Sequence, residues 1–301
     1  VRESTFGIAI GKLKRGNNMA ERGNNMAKKL VLMGAGGKMG VRCAANLART
    51  DFEVVHVEIS EAGRTRLKNA VGVDCVDIDT AMEGADIILL AVPDTAIKGV
   101  ATAIIDKVPS GAMVTCLDAA GPFAGHLPAR DDVTYFVTHP CHPPIYNDEK
   151  TEAGRKDYFG GIAAEQGIVN ALMQGPEDHY ALGEKVGRAI YAPVARSHRV
   201  TVEQMALLEP GLSETVCASL LDVMREAMDE VVRRGVPKEA ARDFLLGHMN
   251  ILGAVIFKEV DGVFSDACNK AIEFGKPALM RDDWKRVFEP DEIAASIQRI
   301  T

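Results

Sequence analysis

An apolar run, a cluster of glycines and a helical stretch follow one another near the start of the chain, and few folds accommodate that order. Lys28 to Met33 reads as a strand, Gly34-Ala35-Gly36-Gly37-Lys38-Met39-Gly40 as a sharp turn, and Val41 to Thr50 as a helix. A strand that turns abruptly into a helix leaves the helix N-terminus open, with N–H donors and positive partial charge facing whatever lies beyond it. Glycine supplies the turn conformations and the missing side chain that allow a pyrophosphate to approach the backbone. The spacing fits G-x-x-G-x-x-G through Gly34, Gly37 and Gly40 better than plain G-x-G-x-x-G. In this strand–turn–helix context, residues Gly34, Ala35, Gly36, Gly37, Lys38, Met39 and Gly40 form a candidate dinucleotide site. A glycine-rich turn without a ligand is the plain alternative.

The next strand, Phe52 to Ile59, carries Glu58 near its end, about 20 residues beyond the glycines, where an acidic side chain binds ribose hydroxyls. A carboxylate there repels a 2′-phosphate, which favours NAD; Arg64 and Arg66 just downstream keep NADP as the alternative. The alternation continues: helix 62–70, a continuous apolar strand 86–92, helix 95–107, and strands 112–117 and 133–138. A polar loop over 145–161 precedes strand 167–173, helix 177–190 and a last strand 193–197. Continuous apolar strands are those buried on both faces, so the pattern predicts an α/β, Rossmann-type doubly wound parallel sheet. Pro93 and Asp94 end strand 86–92 at its carboxyl end, where such folds bind ligands, and join the cofactor candidates.

After His198 the alternation stops. Residues 202–234 are helical, with Leu212, Val216, Leu220, Met224, Met228 and Val231 on one stripe, and Pro210 must kink or interrupt them. Gly235 and Pro237 separate this stretch from further helices at 238–257 and 265–280. The chain of 301 residues is expected to form a cofactor-binding domain over 27–197 and an all-α C-terminal domain over 198–301. The apolar stripe either fills an intramolecular core or packs against a second copy in a homodimer. The hexapeptide Arg15–Ala20 recurs as Arg22–Ala27, so residues 1–26 read as a disordered head, or as a cloning or start-site artefact.

A net charge of −7 with scattered Lys and Arg offers no footprint for nucleic acid. No apolar run reaches the ~18 residues of a membrane span. None of the six cysteines forms a C-x-x-C pair, and the plain reading is buried free thiols in a reducing cytoplasm.

The least ordinary segment is Phe136-Val137-Thr138-His139-Pro140-Cys141-His142-Pro143-Pro144. His139 and His142 follow an apolar strand on a loop that three prolines restrict. A histidine there can take a hydroxyl proton as hydride leaves, or bind a metal; a structural histidine bonded to backbone is the alternative. A second cluster surrounds the helix break at Pro210-Gly211, where Glu209 and Glu214 are candidate catalytic carboxylates against the usual fate of solvated charges. His198 and His248 could also line a cleft but read more readily as structural, and Cys141 lacks the context of a nucleophile.

Residues from about 27 to 298 resemble the D-apionate oxidoisomerases, on Gly34–Gly40, Thr138–Pro144, Ala171-Leu172-Met173-Gln174-Gly175-Pro176-Glu177 and Leu208-Glu209-Pro210-Gly211-Leu212-Ser213-Glu214. A more distant likeness to prephenate dehydrogenases rests on the glycine loop and His139-Pro140. The resemblance implies a role in carbohydrate catabolism by a reaction like that of ketol-acid reductoisomerase run backwards. NAD oxidises the 2-hydroxyl of D-apionate, and a hydroxymethyl group then migrates from C3 to C2 to give 3-oxo-isoapionate. Polarising the two oxygens suits a divalent cation, with His139 and Glu209 as its candidate ligands or as an acid–base pair. Imidazole with carboxylate favours Zn over Mg. A simple or decarboxylating hydroxyacid dehydrogenase, or a non-catalytic NAD-binding regulator, would share the same cofactor motif.

Overall fold

The computed structural model describes residues 27–301, and the expectation for residues 1–26 lies outside them. Strand β1 (Lys29–Met33) enters helix α1 (Lys38–Leu47), followed by β2 (Glu53–Val57), α2 (Glu61–Val71) and the short α3 (Ile78–Met82). The chain then crosses to β3 (Ile87–Leu90), α4 (Asp94–Ile104), β4 (Met113–Cys116), α5 (Ala120–Phe123) and β5 (Thr134–Pro140). A further short helix α6 (Glu152–Lys156) precedes β6 (Gln166–Gln174), α7 (His179–Ile190) and β7 (Val194–Arg199). All seven strands pair into one sheet in the order β2-β1-β3-β4-β5-β6-β7.

Alternate side chains of the central strands feed two separate cores. Val31, Ile88, Val114 and Val137 pack on one face, while Leu30, Leu32, Ile87 and Leu89 pack on the other. Because both faces are covered, β3 and β4 are buried at every position, which is why they read as unbroken apolar runs. The first five strands are parallel, whereas β6 runs antiparallel to β5 and β7 runs parallel to β6. The chain leaves β1 for β2 on one side and returns to β3 on the other. The crevice between the carboxyl ends of β1 and β3 is therefore the topological switch point, where ligands bind in open α/β sheets.

Beyond β7 every element is helical. Thr201 caps α8 (Val202–Ala206) by accepting from the Gln204 N–H, and the Gln204 side chain accepts from the Thr201 N–H in return. The polar Gln204 thus has a structural duty. A π-helical segment, Leu207–Ala218, then runs into α9 (Ser219–Arg233), α10 (Lys238–Ile256), α11 (Asp266–Leu279) and α12 (Pro290–Ile300). The long helix expected over 202–234 is interrupted where Pro210 stands, and the Pro210 carbonyl accepts from Thr215 Oγ1 at 2.6 Å. Helix α9 buries none of its residues, and Leu212, Leu220, Met224 and Val231 of the apolar stripe are exposed.

The structure corrects several local expectations. Helix α1 starts at Lys38, three residues before the apolar periodicity begins, because Gly40 packs into the turn itself. The segment 145–161 contains α6, capped by Thr151, rather than loop alone. Among the six free thiols only Cys43 and Cys116 are buried, while Cys141 and Cys217 are exposed. No helix among the described residues is long and apolar enough to cross a membrane.

Candidate active site

The glycine turn is held by its own backbone. The N–H groups of Gly34 and Ala35 both donate to the Val57 carbonyl, at 3.0 and 3.1 Å, tying the turn to the end of β2. A Cβ on Gly40 would lie 2.1 Å from the Gly34 oxygen, and one on Gly36 would lie 2.4 Å from the Gly63 backbone. Those contacts leave no room for any side chain. The first-turn N–H groups of α1, on Lys38, Met39 and Gly40, have no carbonyl four residues back within the helix and remain available to an anion. Glu58 is buried beside the turn, its carboxylate accepting from the N–H groups of Gly36 (3.0 Å) and Ser60 (2.8 Å) and from Ser60 Oγ (3.0 Å). Burial pushes its pKa up, but these donors more than offset it and hold the carboxyl below its ordinary value. Three of its four lone-pair positions are used, leaving one for a ribose hydroxyl. Arg64 donates to the Glu58 backbone carbonyl and Arg66 to that of Gly36, so both guanidinium groups brace the turn.

A cavity of about 520 Å³ opens from this turn across the carboxyl ends of β3, β4 and β5. Its walls include Gly37, Lys38 and Met39 at the cofactor end and Asp118, His139 and Glu209 at the other. His139 stands within β5, paired with Val169 of β6, so the strand ladder fixes it rather than the proline loop that the sequence implied. Its Nδ1 lies 2.9 Å from the Leu117 carbonyl. A carbonyl only accepts, so Nδ1 carries the hydrogen and Nε2 faces the cavity. There Glu209 Oε2 lies 3.2 Å from Nε2, yet the ring nitrogen has no aligned hydrogen-bond partner and is buried. Burial alone would lower the histidine pKa, but Glu209 beside it, with Asp118 and the Leu117 carbonyl, raises it to about 9. Burial likewise raises the Glu209 carboxyl, and the imidazole outweighs this and lowers it.

Asp118, at the end of β4, was not singled out from the sequence. Its Oδ1 accepts from the Ala120 N–H at 2.7 Å and its Oδ2 lies 3.5 Å from His139 Nδ1. Its position just past an apolar strand at the binding edge of the sheet was the available signal, the same one that marked Asp94. Asp118, His139 and Glu209 each offer a ligand atom within 4.8 Å of the others. Asp94, the first residue of α4, lines the same cavity; burial and the neighbouring Asp118 carboxylate raise its pKa to about 6. Pro93 precedes it as the helix cap. Glu214 is exposed and does not line the cavity, though burial and then Glu209, Asp118 and Asp94 raise its pKa. His142 lines the wall with its ring 6.3 Å from that of His139 and its Nδ1 2.8 Å from the Phe159 carbonyl. His198 and His248 are exposed and do not line it, and His248 Nδ1 is bonded to the Phe244 carbonyl.

The chain is similar to known proteins over nearly all of its described length. Residues 19–124 match a Rossmann-like domain, and residues 147–301 match the phosphogluconate dehydrogenase (decarboxylating) C-terminal family. A D-apionate oxidoisomerase of Rhizobium rhizogenes (strain K84) is 71% identical over 272 residues, which cover 90% of this chain and 99% of that protein. A second, from Cupriavidus necator (strain N-1), is 66% identical over 91% of this chain and 99% of its own length. A crystal structure from Cupriavidus necator, of a semialdehyde dehydrogenase NAD-binding protein in complex with calcium and NAD, superposes with a TM-score of 0.91 at 66% identity. It covers 92% of this chain and 100% of that one. From the glycine turn through the last helices, the chain belongs to the D-apionate oxidoisomerase family.

Proposed function

We propose that this protein is an NAD-dependent oxidoisomerase that oxidises the 2-hydroxyl of D-apionate and moves a hydroxymethyl group from C3 to C2, giving 3-oxo-isoapionate. The 71% identity to a D-apionate oxidoisomerase supports the substrate, and the NAD held by the 66% identical relative supports the cofactor. The observation that carries the chemistry is the His139–Glu209 pair, 3.2 Å apart in a cavity that begins at the glycine turn.

In this reading the first-turn N–H groups of α1 hold the pyrophosphate and Glu58 accepts from a ribose hydroxyl while repelling a 2′-phosphate. NAD, when bound, supplies the hydride acceptor. A cavity histidine takes the proton of the 2-hydroxyl as hydride leaves C2. In the rearrangement, the hydroxymethyl group carries its bonding pair from C3 to C2. The C3 hydroxyl loses its proton and becomes a carbonyl, and the C2 carbonyl oxygen gains one and becomes a hydroxyl. One proton leaves and one arrives at adjacent oxygens, a task for an acid and a base side by side.

The residues also fit a divalent cation. His139 Nε2 is buried without an aligned partner and faces a carboxylate, so His139 and Glu209 would hold the ion and Asp118 would orient the ring from its Nδ1 side. A bound cation would polarise the two reacting oxygens. His142, whose Nε2 is free to accept, is then left to move the protons, with Asp94 beside it on the cavity wall.

The exposed stripe on the π segment and α9 is read as the contact with a second copy, residues 27–197 as the cofactor domain and 198–301 as the helical one. Six unpaired thiols accord with a reducing cytoplasm.

The test is to incubate the protein with D-apionate and NAD, follow NADH by absorbance, and identify the product by mass spectrometry and NMR. A rearranged branched 3-oxo acid is expected, with turnover lost on chelation and restored by a divalent cation. An unrearranged or decarboxylated product would discard the migration, and undiminished turnover after chelation would discard the cation.

A further inference from the structure

The loop between α6 and β6 carries a set of contacts that no role described so far requires. The Asp157 carboxylate accepts from four backbone N–H groups, those of Gly160, Ile162, Ala163 and Ala164, at 2.8 to 3.2 Å. Gly160 and Gly161 both take left-handed φ values, so the chain doubles back around the carboxylate in a fixed shape. On its outer side the loop is fastened to the cofactor helix. Arg42 Nη1 donates to the Gly160 carbonyl at 2.8 Å, and its guanidinium lies 4.3 Å from the centre of the Phe159 ring. Asn46, one turn further along α1, donates to the Gly161 carbonyl at 3.0 Å.

On its inner side the loop meets His142. The Phe159 carbonyl accepts from His142 Nδ1 at 2.8 Å, and the two rings meet edge-on with centres 4.9 Å apart. His142 has φ of 60°, in the left-handed region that non-glycine side chains rarely adopt and that persists only when surroundings over-determine it. Because the carbonyl can only accept, His142 carries a hydrogen on Nδ1, and in its neutral form the lone pair is on Nε2. Both His142 and Phe159 line the cavity.

We infer that Arg42 and Phe159 are positioning residues for His142: Arg42, on the cofactor helix, clamps the Phe159 loop, and that loop fixes the tautomer and direction of the histidine. This rests on the reading that His142 moves protons in the site. It adds a physical link between the two halves of the reaction, since the helix that receives the cofactor also aims the base. The Arg42 bond lies on the flank of α1, two residues past the last of the first-turn donors, and leaves the pyrophosphate donors untouched.

The experiment compares Arg42→Ala, Arg42→Lys and Phe159→Leu with the parent, each checked by thermal melting and by NAD titration. Arg42→Ala is expected to keep NAD affinity and the fold and to lose kcat by about ten- to hundredfold, with KM moved far less. Nitrogen-15 NMR of the imidazoles reads the tautomer directly: His142 holds its hydrogen on Nδ1 in the parent and becomes a mixture in Arg42→Ala. Arg42→Lys, which keeps the cation over the ring, recovers part of both, and Phe159→Leu gives a second loss if Arg42→Ala melts early. Unchanged kcat and an unchanged His142 tautomer in both Arg42→Ala and Phe159→Leu would overturn the inference. His142→Ala separates the two ideas. If that variant turns over normally, His142 has no catalytic role, while the tautomer spectra still decide whether Arg42 positions it.

Discussion

His139 sits between a carbonyl that can only accept and a carboxylate that is deprotonated, so its two nitrogens have different freedom. Nδ1 is committed, and all change of state occurs at Nε2. The raised pKa has a stability consequence whose sign follows from linkage. The pair stabilises the fold fully below the unfolded value of 6.5, and that contribution is lost as pH rises through about 9. With both groups mostly buried, the shift corresponds to an upper bound of about 3 kcal/mol. With chelator present to keep any cation off the pair, Glu209→Gln is therefore expected to melt below the parent at pH 6, with the gap closing as pH passes through 9. Parallel melting curves across that window would show that the pair contributes nothing. Legibility at this scale was uneven. His139 and Glu209 stood out because one follows an apolar strand on a proline-restricted segment and the other sits at the Pro210-Gly211 helix break. Asp118 and Phe159 did not, because each belongs to an ordinary strand end or loop until the fold brings it to the cavity.

At the scale of elements, the π segment is what delivers Glu209. Proline in a regular helix clashes with the carbonyl four residues back and removes a donor. The wider turn relieves the clash, and Thr215 Oγ1 satisfies the Pro210 carbonyl. Gly211 next to it is buried, where a Cβ would lie 3.0 Å from Ile293 of α12. Pro210→Ala is expected to let the helix tighten toward α geometry, leaving Tm unchanged or slightly higher while kcat falls at least about tenfold as Glu209 swings from His139. An unchanged kcat would mean that the break is incidental. All seven strands were visible in the sequence, the inner ones as the unbroken apolar runs that burial on both sheet faces leaves, the outer ones from their place in the strand–helix alternation. The reversal at β6 was not, since strand direction depends on pairing and an apolar run carries no arrow. The short helices α3, α5 and α6 span only one or two turns, too few for a period to register.

For the whole molecule, the distribution of apolar surface is lopsided. The central strands β1, β3, β4 and β5 pack their large side chains into two cores, while α9 and α11 bury none of theirs and α10 buries only Ala241 and Ala254. A 15-residue amphipathic helix gains most of its stability from a packed face, so this surface calls for a cover. On the proposed contact with a second copy, Leu220→Glu combined with Met224→Glu is expected to halve the sedimenting mass of the protein while NAD affinity is kept. A parent that already sediments as a monomer would remove the second copy from the account.

The carboxylates of Asp94, Asp118 and Glu209 around one cavity also bear on the direction of turnover. An oxidised nicotinamide ring is a cation and the reduced ring is neutral, so any carboxylate charge that protonated His139 and a bound cation leave uncompensated favours the first over the second. The wall that assists the arrival of oxidised cofactor thereby loosens its grip once hydride has been transferred. In the proposed reaction, such an asymmetry would favour discharge of reduced cofactor and the start of the next oxidation.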